Sequence, residues 1–334
     1  MIFNKSSWDS EVKNKQLIIV SSSLSFEKMN PALIDAWEMF FVPLLGPELC
    51  NKIVGISDES FSRNNVTGEG EKEDEWLLSA CRRAVVNLAM WYDFDELNTR
   101  ITDMGHQRQE SDSFKSTYKY QEDNLRSGYK AKGFNALDRI LDFLHENINL
   151  YTEFKTQPAY IKMNTDIVRT TEQVNDVYDI GRSRIVFLRL RPHLSFVENQ
   201  ILRPAIGGEL FKILHTWLIN MPEDSDLAIK IDNLRILCGK YVIMMAIKRL
   251  LQETGSITDR GLYFTTISGG DGNISVQPVS ADRVAVQLQM ADTDAQHYLA
   301  DVMACIKSDF PSYFTVSSQR IFDIDNDNKK IFFV

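Results

Sequence analysis

An internal repeat is the feature of this sequence that most constrains how the chain folds. Residues 26–49 align without a gap on residues 187–210, with seven identities in 24 positions. Average residue usage gives roughly one or two identities by chance in such a window. The identical pairs include two prolines and one glycine, which no helical period dictates: Phe26 and Phe187, Pro31 and Pro192, Leu33 and Leu194, Pro43 and Pro204, Gly46 and Gly207, Glu48 and Glu209, Leu49 and Leu210.

The correspondence continues along the chain in the same order, with small gaps. Cys81 falls on Cys238, and the string from Ile101 to Gly105 (ITDMG) falls on the string from Ile257 to Gly261 (ITDRG). Later pairs are Leu137 with Leu299 and Tyr151 with Tyr313. The alternative is coincidence between two amphipathic helical segments. A length of 334 residues also favours more than one core. We therefore predict two tandem domains, 1–165 and 166–334.

The repeated pattern predicts mainly α structure with minor β. Each copy should begin with a helix that has proline in its first turn, where the missing N–H is tolerated. These helices are expected over 31–45 and 192–206, ended by Gly46 and Gly207. Apolar residues at helical spacing predict long helices over roughly 75–98 and 226–253, and further closing helices.

Each copy should also carry an extended arm or a β-hairpin after the ITDxG string. Alternation over 262–267 and 274–277 predicts two strands in the second copy, joined by a glycine-rich turn. Residues 106–120 are polar and lack that alternation, which predicts an irregular arm in the first copy. Residues 320–324 and 329–334 predict a C-terminal hairpin. The fold class is thus two tandem helical bundles with protruding arms.

No motif predicts catalysis, a cofactor or a metal. The four cysteines are far apart, and no two of the five histidines have the i, i+4 spacing of a helical zinc site. Asp323, Asp325 and Asp327 alternate as in a calcium loop, but Asn328 replaces the required glycine and Val334 the final glutamate, so a hairpin turn is favoured. The amino-terminal residues lack the apolar run of a signal peptide, and no apolar segment is long enough to cross a bilayer.

The charge balance argues against general nucleic-acid binding. The net charge is −9 and the isoelectric point is near 5.2, whereas such binders are usually basic. One stretch mixes basic and aromatic residues and is the candidate for a local contact with DNA; its cations are Lys115, Lys119, Arg126, Lys130 and Lys132. The alternative is a solvated helix face whose long side chains cover apolar surface.

The two ITDxG strings leave two alternatives open. Asp103 and Asp259 are expected to cap turns in which Gly105 and Gly261 supply backbone freedom. The alternative is an enzyme that gathers scattered residues, namely Asp103, His106, Asp259 and Asp271. Alanine at both aspartates would separate the two, because lost turnover with unchanged assembly would indicate an enzyme.

The order of these elements resembles a family of connector proteins. The segments that carry the likeness are PLLGPEL at 43–49, CRRAVVNLAMWY at 81–92, the ITDxG string, ALDRILDFL at 136–144, and Tyr151. Together they resemble an uncharacterised family among the structural genes of tailed phages and prophages of Bacteroidetes hosts, and the wider group of phage head–tail connector (adaptor) proteins. Typical connectors carry one such unit, whereas this chain carries two.

The resemblance implies a virion structural protein without catalysis. Such proteins form rings below the portal, so the implied partners are other copies of this chain, the portal, and tail or neighbouring connector proteins. DNA would pass through the ring without sequence recognition, and no membrane is implied. The protein would be assembled in the host cytoplasm and reside in the virion. The alternative is a structural component of a contractile injection machine.

Overall fold

Helices make up most of the structure, a computed structural model that describes residues 2–14, 24–60, 71–97, 99–102, 105–108, 118–217, 219, 224–254, 263–267, 274–278 and 281–313. The chain divides into two compact units, Met1–Ile161 with Ser183–Ile185, and Lys162–Arg182 with Val186–Val334. The prediction of a mainly helical protein is confirmed. The predicted strands over 320–324 and 329–334 lie outside the described residues.

The first unit contains short helices around two long ones. In chain order its elements are α1 (Lys5–Ser7), a π-helical segment (Trp8–Asn14), α2 (Phe26–Ala36), a second π-helical segment (Trp37–Phe41), α3 (Val42–Leu45), α4 (Pro47–Ser60), α5 (Glu71–Tyr92), α6 (Phe94–Leu97), β1 (Thr99–Thr102), β2 (Gly105–Arg108), α7 (Lys119–Glu146) and a 3-10 turn (Thr152–Thr156). β1 pairs with β2 antiparallel, with Thr102 opposite Gly105. Helix α8 (Pro158–Thr165) runs through the division between the units.

The second unit has a similar inventory. Its elements are α9 (Thr171–Val177), α10 (Arg184–Val197), a π-helical segment (Glu198–Leu202), α11 (Arg203–Ile206), α12 (Gly208–Thr216), α13 (Ser225–Thr254), β3 (Tyr263–Ile267), β4 (Ile274–Pro278), α14 (Ala281–Asp309) and a 3-10 turn (Pro311–Tyr313). β3 and β4 form an antiparallel pair in the region where we expected a hairpin. β2 overlaps residues 106–108 of the stretch for which we expected an irregular arm without a strand, whereas β1 precedes that stretch.

The core of each unit is formed by two long helices that bury matching apolar stripes. In the first unit α5 packs on α7, and in the second α13 packs on α14. The α5 stripe that the sequence predicts is buried at Leu77, Cys81, Ala84, Val85 and Leu88. The α7 and α14 stripes are buried at Leu137, Leu141, Leu144, Val302, Ile306 and Phe310. Because these positions recur every three or four residues, they lie on one face of each helix, and that face is buried.

The prediction that proline opens the repeated helices is wrong. Helix α2 begins at Phe26 and α10 at Arg184, so Pro31 and Pro192 lie inside them. The amino-terminal cap of α2 is Ser25, whose hydroxyl oxygen accepts a hydrogen bond from the backbone N–H of Lys28 at 3.3 Å. Both prolines are exposed, so water can reach the carbonyl that lacks its usual donor.

The prediction that Gly46 and Gly207 end the helices is confirmed. Both have a positive backbone angle, φ +81° at Gly46 and φ +87° at Gly207, which strongly favours glycine. Each glycine forms the turn between a short helix and the next helix. Gly46 lies between α3 and α4, and Gly207 lies between α11 and α12. The side chain of Gln157 covers Gly46, and a β-carbon there would lie 2.3 Å from its amide nitrogen.

Gly133 permits a close approach between α7 and α5. A β-carbon at this position would lie 2.7 Å from the side chain of Leu88, which is fully buried. Leu88 therefore has little room to move. Gly128, five residues earlier on the same helix, has no atom within 4 Å of where a β-carbon would stand.

We predict opposite effects of alanine at these two glycines. Gly133→Ala should lower the free energy of unfolding by about 1–3 kcal/mol, because the core has no space for the methyl group. Gly128→Ala, the matched control, should raise it by about 0.5–1 kcal/mol through helix propensity alone. Urea unfolding followed by tryptophan fluorescence reports mainly on the first unit, since Trp8, Trp37, Trp76 and Trp91 lie there. Equal effects of the two substitutions would contradict a close helix contact at Gly133.

Candidate functional site

The sequence-predicted turn residues are only partly within the described structure. Gly105 is the first residue of β2. Asp103, Asp259 and Gly261 lie outside the described residues, as does Lys115. Within the described part of the chain, no three histidine, cysteine or acidic side chains come together as metal ligands. None of the helices in that part combines the length and apolar character needed to cross a membrane.

The described cations predicted to face DNA lie on the amino-terminal half of α7. Lys119 is the first residue of α7, and only its backbone is described. Arg126 donates a hydrogen bond to Asp95 on α6, with 3.1 Å between Nη1 and Oδ2. Lys130 lies with its ammonium 5.2 Å from the centre of the Trp91 ring. Lys132 is exposed.

Aromatic rings surround this basic stretch. Tyr118 precedes α7 and stacks on Tyr120, with 5.9 Å between ring centres and 12° between ring planes. Their exposed fractions are 70% and 44%. Beneath Lys130, the rings of Phe40, Trp91 and Phe134 form a cluster with centre distances of 5.5–5.9 Å. This surface, which we call the α7 surface, therefore presents two stacked tyrosines beside several cations.

The α7 surface suits a weak contact with nucleic acid rather than sequence recognition. Exposed tyrosines offer flat faces on which bases stack, and the cations attract phosphates. However, Asp95 already engages Arg126, and the Trp91 ring already engages Lys130. Glu122 and Asp123 lie on the same part of α7 and reduce the positive potential. The assignment of these cations to DNA stays a prediction.

A buried acidic site in the second unit was not predicted from the sequence. Glu198 is the first residue of a π-helical segment and is only 2% exposed. One carboxyl oxygen, Oε1, accepts a hydrogen bond from the backbone N–H of Val168 at 3.2 Å. The other, Oε2, lies 3.6 Å from Nε2 of His215. The His215 ring packs 4.2 Å from the ring of Phe211, measured between centres.

The surroundings of Glu198 and His215 favour the neutral form of both groups. Burial raises the pKa of Glu198 to about 8, and repulsion from Asp166 adds to the rise, while backbone hydrogen bonds oppose it. Burial lowers the pKa of His215, and the nearby Arg203 lowers it further. Near neutral pH the two side chains therefore form a largely uncharged pair, although their geometry matches an ion pair. The Glu198 carboxyl group therefore holds its proton while His215 stays neutral, so the pair adds no net charge to the core.

One signal in the sequence could have identified Glu198. In the gapless alignment of the two copies, Glu198 falls on Trp37, which is 7% exposed and stacks on Phe41 with 4.8 Å between ring centres. An acidic residue at the position of a buried aromatic ring is a departure from the repeat. Since buried carboxyl groups are rare without a partner, such a departure indicates a specific role.

Comparison with known proteins adds one similarity. Residues 41–163 match a family described as "Family of unknown function (DUF6712)". The matched stretch covers well under half of the 334-residue chain and runs from the end of the second π-helical segment into α8. No curated protein and no solved structure matches the chain. The first unit is thus similar, over most of its length, to a family without an assigned function.

We predict that Glu198 makes the second unit less stable at alkaline pH. Its pKa rises from an ordinary 4.5 to about 8 on folding, so its contribution is fully present below pH 4.5 and is lost as the pH rises through 8. Glu198→Gln keeps an acceptor for Val168 and cannot ionise. The variant should equal the wild type near pH 4 and be more stable near pH 9 by roughly 2 kcal/mol or more.

The measurement is urea unfolding at a series of pH values, followed through the NMR signal of the indole N–H of Trp217, the one tryptophan of the second unit. Glu209→Gln, an exposed position on α12, is the matched control and should follow the wild type at every pH. Parallel curves for the wild type and Glu198→Gln would show that Glu198 does not carry its proton into the folded state.

Proposed function

We propose that this protein is a virion structural protein of the head–tail connector (adaptor) type, without catalytic activity. In this proposal two tandem copies of one helical unit, 1–165 and 166–334, form or join a ring at the junction of portal and tail. Other copies of the chain and the neighbouring portal, connector or tail proteins are the partners. DNA passes through the ring and is not recognised by sequence. The protein resides in the virion.

The observation that carries the proposal is a repeated irregularity in the backbone. π-helical segments span Trp37–Phe41 and Glu198–Leu202, which are 161 residues apart at both ends. Each is followed by a four-residue helix and a glycine with positive φ, at the same offset. π-Helical turns are rare, well under one residue in a hundred. Two of them at matching positions support descent of both units from one ancestral unit.

The remaining elements support the same duplication. In each unit a long helix, α5 or α13, is followed by an antiparallel strand pair, a second long helix that packs on the first, and a 3-10 turn. Cys81 and Cys238, which the sequence alignment pairs, are both fully buried on the first long helix of their unit. The family match over residues 41–163 falls within the first proposed unit, which supports treating that unit as a separate module.

A duplicated helical unit suits ring assembly. In a ring one heterologous contact is repeated until it closes, so each subunit needs a rigid body and a surface that reaches its neighbour. The paired long helices supply a rigid body through close packing. The segments between them, residues 106–120 and 262–278, are the proposed arms. The α7 surface is the proposed site of passing contact with DNA.

Two alternative functions can be distinguished from the connector function. A structural part of a contractile injection machine would share the duplicated unit and the ring, and would differ in the proteins that it contacts. An enzyme that uses Asp103, His106, Asp259 and Asp271 would instead lose turnover, with its assembly unchanged, when Asp103 and Asp259 are replaced by alanine.

We expect the purified full chain to form closed rings. Light scattering after size-exclusion chromatography should give a mass that is a fixed multiple of 38.4 kDa, and negative-stain electron microscopy should show rings with a central opening. A strict monomer at every concentration, including with the portal protein present, would overturn the proposal.

We further expect the arms to be required for the ring but not for the fold. Replacing residues 262–278 with a glycine–serine linker should abolish rings, while the helical circular dichroism signal stays near that of the wild type. The matched control replaces residues 61–68, outside the proposed arms, with a linker of equal length and should leave the rings intact. Rings that persist without either arm would contradict the assigned role of these segments.

A further inference from the structure

A cavity of about 250 Å³ lies in the second unit, between α13 and the segment that leads into α9. Ile167, Val168, Ile236 and Ile243 supply most of its apolar wall. The polar residues of the wall are Gln173, Asp176, Arg235 and Lys240. An apolar pocket with few polar groups is the usual form of a small-ligand site, and this volume suits a ligand smaller than a typical drug.

Arg235 is a buried cation whose hydrogen bonding is incomplete. The residue is 7% exposed, and its Nε has no hydrogen-bond partner within the part of the chain that the structure describes. Asp232 brings its Oδ1 to 3.7 Å from this nitrogen, which is beyond hydrogen-bond distance, and its own side chain is 47% exposed. A buried N–H without an acceptor costs about 1–3 kcal/mol. An added oxygen acceptor would remove this cost.

Arg169 strengthens the positive potential next to the cavity. Burial, and to a smaller extent repulsion from Arg235, lowers the pKa of Arg169 to about 10 against the opposing attraction of Asp232. Its Nε also lacks a partner among the described residues, and Nη1 donates only a long hydrogen bond of 3.4 Å to the carbonyl oxygen of Met163. Two guanidinium groups near each other thus share one neighbouring carboxylate.

The charges around the cavity leave an excess of one positive charge. The charged residues that line it are Arg235, Lys240 and Asp176, while Arg169 and Asp232 lie outside the lining and carry opposite charges. Lys240 points its ammonium towards the Tyr298 ring, 5.9 Å from the ring centre. A monoanion would balance this excess. A phosphate dianion would carry one charge too many and would find mainly aliphatic side chains around its remaining oxygens.

Two further features show that the cavity wall favours an apolar ligand body. Ile236 lines the cavity and is 47% exposed, so a bound ligand would cover an apolar side chain that now faces water. Gly239 also lines the cavity, and its missing side chain keeps space open. A β-carbon there would lie 3.8 Å from Ile167 and 3.9 Å from Val168, which is ordinary contact.

From these contacts we propose that the cavity binds a small organic monocarboxylate. The carboxylate accepts hydrogen bonds from Arg235, and the aliphatic body lies against Ile167, Ile236 and Ile243. This assignment does not depend on the connector function, since it concerns a cavity within the second unit.

Methyl NMR of the full chain, labelled at the isoleucine δ-methyl groups, tests the proposal with three probes. 3-Methylbutanoate carries both the charge and the apolar body, 3-methylbutan-1-ol carries only the body, and acetate carries mainly the charge. The carboxylate should shift the methyl signals of Ile167, Ile236 and Ile243 with a Kd on the order of 1 mM. The alcohol and acetate should bind at least about tenfold more weakly, a difference of about 1.4 kcal/mol. No shift with 3-methylbutanoate, or equal binding of the alcohol, would overturn the proposal.

Two variants test the residues. Arg235→Met keeps much of the side-chain volume and removes the charge, and should weaken binding of 3-methylbutanoate by about tenfold or more. Arg126→Met, at an exposed arginine of the first unit, is the matched control and should leave the affinity unchanged. If Arg235→Met does not fold, Gly239→Ala decides the question, because its methyl group fits at contact distance and narrows the cavity. Unchanged binding in a folded Arg235→Met or in Gly239→Ala would refute the assignment.

Discussion

The burial of one apolar stripe against another, within each pair of long helices, is the interaction on which the rest of the structure depends. α5 and α7 bury their stripes in the first unit, and α13 and α14 do so in the second. Most of the stability of helices in proteins comes from the packing of an apolar face rather than from helix propensity, so this pairing is what stabilises the long helices. The shorter helices then cover the remaining apolar edges. Gly133 shows how close this pairing is in the first unit, since no side chain fits between α7 and Leu88.

The periodic and the glycine-based features could be predicted from the sequence, and the irregular ones could not. Stripes at Leu77, Cys81 and Leu88 follow directly from helical spacing, and Gly46 and Gly207 follow from the conformations that only glycine adopts easily. The predicted starts of the first helices were wrong because proline is common in first turns, whereas Pro31 and Pro192 lie inside helices at exposed positions. A helix tolerates proline where the carbonyl group four residues earlier can bond to water instead of to a backbone N–H. Whether that carbonyl is exposed depends on the tertiary structure.

The chemistry of the second unit was hidden from the sequence for a related reason. Glu198, Arg169 and Arg235 look like ordinary surface residues in a charged protein. Only the fold brings Glu198 to the backbone of Val168 and places Arg169 near Arg235. The contrast between Glu198 and Trp37 was visible in the alignment, but its meaning required the burial of both positions. At this aligned position, therefore, the first unit buries an aromatic ring and the second unit buries a carboxyl group.

The matching π-helical segments also bear on the history of the chain. A π-turn accommodates one residue more than an α-turn, so the insertion of a single residue into an α-helix can produce one. Independent insertions at the same point of two helices would require the same accident twice. If the two units descend from one ancestral unit, as we propose, a single insertion before the copying event would account for both Trp37–Phe41 and Glu198–Leu202. On the same proposal the extra residue would be older than the duplication, and the glutamate at the first position of the segment in the second unit would be a later change in one copy.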